Sequence, residues 1–289
     1  MAYKGNRINP NRFEKGQIKI LLIILPLIIF MGLPIVFIFC HAFKPMEELF
    51  AFPPKFIVTH PTLDNFKQLM KASRTSGIPM SRYVFNSLVV TVITVLLALF
   101  FTTSAAFALS KIKFKGRNTM LKINQLAIMF VATAVMIPRY LVVNVLGLVD
   151  TYWSHILPIL AVPVVLFLVK QFVDQVPDSL IEAAYIDGAT DFQVYRKIML
   201  PMTKPAIATA AIMVFQQVWT NMESSNYYIN DESMKTLTFY MNTLANANNT
   251  VAGQGMAAAA SLIMFLPNLI LFCILQNSVM NTMATSGIK

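Results

Sequence analysis

The sequence predicts an all-α membrane protein with six transmembrane helices, a helical elbow on the cytoplasmic face, and both termini cytoplasmic. Three observations carry this prediction. Of 289 residues, 56% are apolar and only 12% are charged, against roughly 25% charged in soluble domains, and the mean hydropathy is +0.62. Six stretches approach the ~20 apolar residues that a crossing helix needs. The basic residues gather in short segments beside those stretches, on one side of the membrane. The net charge of +10 is thus explained by topology against membrane lipid, and no nucleic-acid partner is expected.

The first span, residues 18–42, follows a basic segment holding Lys4, Arg7, Arg12 and Lys15. It is too long for a signal peptide and lacks a small-residue cleavage site, so it is expected to remain as an anchor. The second, residues 83–109, is rich in Ala98, Ser104, Ala105, Ala106 and Ala108, small side chains that let helices approach closely in lipid. The third, residues 121–143, carries Lys122, Pro138 and Arg139. The fourth, 156–172, contains Pro158 and Pro163, the fifth is 205–220, and the sixth, 256–279, opens on the small run from Ala257 to Ser261. Prolines within spans imply neighbours that satisfy the freed carbonyls.

Six crossings place both ends on one side. With residues 1–19, 110–122, 170–204 and 280–289 together, that side holds 15 of the 23 Lys and Arg against 6 acidic residues, which makes it cytoplasmic. The chain therefore divides into a cytoplasmic N-terminal segment (1–17), a transmembrane domain (18–279) and a cytoplasmic tail (280–289). Outside, residues 43–82 are expected to fold as a small cap. The second outer loop, 221–249, has Tyr227, Tyr228, Phe239, Tyr240 and many Asn; its composition suits either a surface that grips something outside or an ordinary polar turn. Cys40 and Cys273 have no CxxC or His-rich neighbourhood, so both read as small packing residues rather than disulfide or metal ligands.

Residues 176–204 are too polar to cross lipid and read as two short helices. Pro177 suits a first turn, Leu180, Ile181, Ala184 and Tyr185 share a face, and Gly188 suits a left-handed cap. Thr190 with Gln193 forms a capping box, Phe192, Tyr195, Ile198 and Met199 give the second helix an apolar face, and Pro201 is expected to stop it. Physically, such an elbow is either an amphipathic helix on the membrane surface or a device that seats in a cleft on a soluble partner, where Ala183, Ala184 and Gly188 allow close approach and Glu182 can meet a partner Arg.

Glu182-Ala183-Ala184, Gly188 after three residues, Ile198 after nine more, then Leu200-Pro201 resembles the EAA signature of binding-protein-dependent ABC importer permeases at every fixed position. SAAFALSKIKFKGRN (residues 104–118), LGLVDT (146–151), Asp187-Gly188-Ala189 and the closing Ser286-Gly287-Ile288-Lys289 are similar to the MalG-type subunit of carbohydrate importers. The resemblance implies that 176–204 is the coupling segment, with Glu182, Ala183, Ala184, Asp187 and Gly188 docking on an ATPase. It also implies a MalF-like second permease, two ATP-binding subunits, an extracytoplasmic solute-binding protein contacting 221–249, a sugar substrate, and a multi-pass location in a bacterial cell membrane. No cofactor is expected in this chain, with ATP and Mg held by the partner ATPase, and no catalysis; no G-x-x-x-x-G-K-[ST] phosphate loop occurs. For the substrate path, Trp219, Asn221, Glu223, Tyr227 and Tyr228 offer aromatic faces and hydrogen-bonding groups, the alternative being an interfacial aromatic belt.

Three other readings stand beside this one. An ion-coupled transporter would place ionisable groups within the spans, where few lie. A membrane enzyme would cluster its nucleophiles and bases, whereas His41, His60 and His155 are scattered and no HExxH or G-x-S-x-G occurs. A permease for a non-sugar solute would carry the same EAA segment.

Overall fold

The computed structural model describes residues 15–75, 77–247 and 251–286. Most of the basic N-terminal segment and the closing Gly287-Ile288-Lys289 lie outside the described residues. Every element among the described residues is helical. In order they are α1 (Lys15–Phe43), α2 (Met46–Leu49), α3 (Asp64–Thr75), α4 (Met80–Lys111), α5 (Arg117–Met129), α6 (Met136–Val145), α7 (Tyr152–Ile156), a 3₁₀ turn (Leu157–Ile159), α8 (Pro163–Asp174), α9 (Asp178–Ile186), α10 (Asp191–Val194), a π turn (Tyr195–Met199), α11 (Leu200–Met202), α12 (Lys204–Trp219), α13 (Glu223–Tyr227), a second 3₁₀ turn (Glu232–Met234), α14 (Leu237–Ala247) and α15 (Val251–Ser286).

Among the described residues, three helices are long and apolar enough to cross a bilayer by themselves: Ile20–Phe43, Met80–Lys111 and Gly253–Gln276. Two bent pairs bring the number to as many as five. Tyr152–Leu160 with Pro163–Asp174 turns by 47°, where Pro163 lacks an N–H to continue the ladder. Asp191–Met202 with Lys204–Tyr227 turns by 82° at Thr203. The expected third span is not one helix: α5 ends at Met129, Phe130 leaves helical geometry at φ −76° and ψ 132°, and α6 begins only at Met136. Residues 130–135 hold two β-branched valines and a Thr, residues of low helix propensity.

Helix packing follows the small residues. Ala98 and Ala106 of α4, Val165 and Val169 of α8, and Ala210 and Val214 of α12 are all fully buried in one cluster. Lipid supplies no hydrophobic drive between helices, so these close van der Waals contacts hold the bundle together. On the other side of α12, Trp219 donates its indole N–H to the Met264 carbonyl of α15 (3.1 Å), and Tyr83 stacks on Tyr240 of α14 at 4.2 Å. Most side chains of α1 between Ile20 and Phe39 are exposed within this chain, Pro26 and Pro34 among them, whereas Cys40 and Ala42 at its far end are buried, Ala42 against Ala258, Ala259 and Leu262 of α15.

The segment after α1, expected to lie outside, folds back on the end of that helix. The Glu48 carboxylate accepts from the Thr59 N–H (3.0 Å), the Thr59 hydroxyl and the His60 N–H (2.8 Å). Asn65 of α3 donates to the Ala42 and Lys44 carbonyls at 3.0 and 2.8 Å, which clamps α3 to the end of α1. The second outer loop is not a loose turn: α13 and α14 bury Tyr228, Leu237 and Tyr240, while Lys235 sits 4.4 Å over the Phe239 ring. Two of its four aromatic residues, Tyr228 and Tyr240, are core, a role that their number alone did not distinguish from recognition.

Candidate functional site

The segment joining α8 to α12 forms a two-helix elbow. Pro177 stands immediately before α9 in extended geometry (φ −59°, ψ 132°), one position earlier than a first-turn proline. At the other end of α9 the Gly188 N–H donates to Tyr185 O (3.0 Å) and the Ala189 N–H to Ala184 O (2.9 Å), with Gly188 at φ +81°. This pair of bonds is the Schellman cap, and it needs a left-handed residue at that position. The next helix opens on Thr190, whose hydroxyl accepts from the Gln193 N–H (3.4 Å) while Gln193 Oε1 accepts from the Thr190 N–H (2.8 Å). Both halves of the capping box are present.

Pro201 does not end this helix. The chain stays helical through Met202 because the preceding π turn widens the spiral, relieving the clash of a proline ring with the carbonyl four residues back. The sharp turn comes at Thr203, and the 82° angle sets Asp191–Met202 across the direction of α12.

The elbow is anchored on its inner side. Ile181, Val194, Tyr195 and Met199 are buried in the same cluster as Phe107, Val173 and Val176. The Tyr195 hydroxyl meets Thr103 Oγ1 at 2.7 Å within α4. Lys111, at the last turn of α4, donates to the Val176 carbonyl and to Asp178 Oδ1, both at 2.7 Å. That ammonium holds the Asp178 carboxyl below its ordinary range. Val194, fully buried, is a core residue that the sequence pattern had not singled out; only its neighbours on the helical face hinted at it.

The outer side of the elbow is bare. Glu182, Ala183, Asp187 and Gly188 are exposed and Ala184 half-buried. Glu182 has no hydrogen bond or ion pair among the described residues. Beside them Ile186 is 86% exposed, and Leu180, Tyr185 and Phe192 of the expected apolar faces are also uncovered. A shallow cleft between the two helices is lined by Ala184, Asp187, Gly188, Gln193 and Lys197. Tyr185 donates to Asp191 Oδ1 (2.8 Å) across the tip, which pushes its phenol above the usual value and ties the two helices together. The arrangement is a rigid projection with small residues and two carboxylates, Glu182 and Asp187, that have no side-chain partner among the described residues.

The outer candidates separate into two groups. Trp219 is buried between α12 and α15 and stacks on Phe215 at 5.7 Å. Asn221 accepts from the Ser224 N–H and hydroxyl (3.0 and 2.9 Å), pinning the start of α13. Glu223 pairs with Arg139 of α6 at 3.4 Å, both side chains about a third exposed. Tyr228 is buried and stacks on Tyr140 at 6.3 Å, its carbonyl accepting from the Asp150 N–H (2.9 Å). Tyr227 is exposed. Glu223 and Tyr228 therefore lie together against α6, whereas Trp219 faces α15. Arg139, which completes the first group, carried a sequence signal as a lone charge inside an apolar stretch.

Residues 105–279 match the family model described as "Binding-protein-dependent transport system inner membrane component". Protein LplC of Bacillus subtilis (strain 168) is 32% identical over 277 residues, spanning 89% of each chain. The arabinooligosaccharides transport system permease protein AraQ of the same organism is 27% identical over 286 residues, 96% of this chain and 98% of the relative. Among solved structures, a chain of a bacterial ABC transporter involved in the import of the acidic polysaccharide alginate superposes with a TM-score of 0.77 over 92% of this chain and 98% of that one. At 20% identity that likeness speaks for the fold. With the family model covering well over half of the sequence, the chain belongs to the inner membrane components of binding-protein-dependent transport systems.

Proposed function

We propose that this chain is one of two permeases in an ATP-driven importer of a sugar or oligosaccharide, crossing the bacterial cytoplasmic membrane six times with both termini inside. The roles of the relatives support the substrate class: arabinooligosaccharides for one, alginate for the solved transporter. In this reading α5 and α6 together make the third crossing. Glu182, Ala183, Ala184, Asp187 and Gly188 seat in a groove of an ATP-binding subunit, and ATP with Mg is bound there, not here. A second, MalF-like permease completes the path, and an extracytoplasmic solute-binding protein docks near α13 and α14.

The observation that carries the proposal is the bare elbow. A projection rooted in the core, capped at both helix ends and exposing Leu180, Ile186 and Phe192 calls for a partner surface, and its attachment through Lys111 and Tyr195 lets force applied at the tip reach α4. On the substrate side, Glu223 and Tyr227 are the candidates that stay accessible, with Trp219, Asn221 and Tyr228 supporting them. Reconstituted proteoliposomes of the complete transporter, with ion gradients collapsed, test the reading. ATP-dependent uptake of labelled oligosaccharide but not of amino acids is expected. Uptake driven by an ion gradient without ATP, or of amino acids alone, overturns it.

A further inference from the structure

The turn that follows α1 and α2 carries an apolar loop that nothing in this chain covers. Residues 50–58 read Phe-Ala-Phe-Pro-Pro-Lys-Phe-Ile-Val, with Lys55 their single polar side chain. Phe50, Phe52 and Ile57 are 60%, 96% and 67% exposed, and Phe56 is exposed beside them. A contiguous apolar patch of this kind marks an interaction surface.

The loop is fastened to the end of α1. Lys44, itself buried, donates its ammonium to the Lys55 carbonyl. Just beyond the loop Glu48 holds Thr59 and His60, and the Thr62 N–H reaches the Phe43 carbonyl (2.8 Å). The depth of the loop can therefore be read from the helix. The Phe56 ring lies 5.6 Å from that of Phe37, a residue six positions before the end of α1 and so about 9 Å back along its axis. Counted from Ile20, about 20 residues fill the hydrocarbon layer, whose outer edge thus falls beside Phe37 and Phe39. Phe56 stands at that edge, on a side of α1 where Phe37 is itself exposed.

Composition favours lipid over a protein partner as the occupant. Protein interfaces carry about one hydrogen bond per 100–200 Å², and residues 50–58 offer little for them: no Ser, Asn, Tyr or Arg occurs there, and Pro53 and Pro54 have no N–H. Acyl chains ask for none. Lys55 has no carboxylate partner among the described residues; its stem suits the apolar side of the boundary and its ammonium the headgroup phosphates.

We infer that residues 50–57 form a wedge in the outer leaflet of the membrane, with Phe52, Phe56 and Ile57 at the top of the acyl chains and Lys55 on the phosphates. The wedge pins the outer end of α1 at the membrane surface. This rests on the proposed topology, in which residues 43–82 face outward.

Quenching of a fluorescent label tests this in the complete transporter reconstituted in nanodiscs. Phe52→Cys, Ile57→Cys and, at an exposed position of α3, Lys71→Cys are each made in a Cys273→Ser background with buried Cys40 kept. Each is labelled in detergent with an NBD maleimide before reconstitution. The label is then quenched either by phospholipid carrying a nitroxide near the top of its acyl chain or by iodide in the water. At positions 52 and 57 the lipid is expected to quench at least about threefold more than at position 71, and iodide less, as for a segment lying in the interface. Iodide quenching as strong as at position 71 places the loop in water and overturns the inference. Quenching by neither agent places the loop against another protein subunit and overturns it too. Sidedness is read separately with a membrane-impermeant maleimide: reaction of Lys71→Cys in inverted vesicles but not in right-side-out ones overturns the six-crossing reading along with the wedge, whereas a failed lipid quench with Lys71→Cys reactive from outside overturns the wedge alone.

Discussion

Gly188 is the position where the elbow's own stability and its proposed docking can be separated. Its φ of +81° is left-handed, and a Cβ there meets nothing within 4 Å. Gly188→Ala therefore suffers no clash within this chain and only the left-handed strain of an L-residue, about 1–2 kcal/mol, which weakens the cap by roughly tenfold in local population. The buried side of the elbow is untouched, so the bundle keeps its melting temperature in detergent. Asn tolerates this conformation better than Ala but is larger, and Trp is larger still. If the tip seats in a partner's groove, loss of ATPase copurification with the tagged permease follows size, in the order Ala, Asn, Trp, and ATP-dependent uptake falls with it. If only the cap matters, Asn is milder than Ala. A Trp variant that copurifies the ATPase as well as the wild type refutes the docking role.

Other perturbations test the framework around the elbow and the cap. Tyr195→Phe removes the hydroxyl shared with Thr103, while Thr103 keeps its bond to Leu99 O (2.7 Å); a loss of about 1 kcal/mol is expected in denaturant or thermal unfolding, and a change below about 0.3 kcal/mol contradicts the joint. Gly255→Ala drives a Cβ to 2.5 Å from Asn65 Oδ1, a side chain already fixed by two carbonyls of the α1 end, so about 1–3 kcal/mol of destabilisation is expected, and an unchanged melting temperature refutes the clamp. Glu48, held first by the Thr59 hydroxyl and also by the Thr59 and His60 N–H groups, titrates at about 2 instead of 4.5. A depressed carboxyl stabilises fully above its unfolded value and loses that stabilisation as pH falls toward 2. Proteolysis at residues 50–60 by an acid-active protease should therefore rise between pH 4.5 and 2 in the wild type, and Glu48→Gln should be cut readily at all pH values; a pH-independent wild type contradicts this.

What could be read from the sequence was whatever local chemistry determines. Uninterrupted apolar runs gave α1, α4 and α15, because length and composition alone decide whether a helix can cross. Thr190 with Gln193, and Gly188, marked the elbow's turns because capping needs only residues a few positions apart. The elbow's docking side was less legible: Leu180 and Phe192 share an apolar pattern with buried Ile181 and Tyr195, and periodicity does not say which half meets its own protein and which is left for a partner. Pro201 misled for a similar reason, since a π turn at Tyr195–Met199 absorbs it. The packing of Tyr228 and Tyr240 depends on distant contacts, and at 130–135 an apolar composition reads the same for a straight span and a broken one. Arg139 was visible as an anomaly; its partner Glu223 was visible as another, and only the fold joined them.

The most direct test of the central claim is a cross-link from the elbow's tip. Ala183→Cys, in a Cys273→Ser background of the assembled transporter in native membranes, is treated either with a maleimide carrying a photoreactive benzophenone, which inserts into C–H bonds of whatever protein lies beside it, or with a photoreactive phospholipid. The account predicts a covalent product between this chain and the ATP-binding subunit, and little lipid adduct at position 183. Strong labelling by the phospholipid, with no product to the ATP-binding subunit, contradicts it.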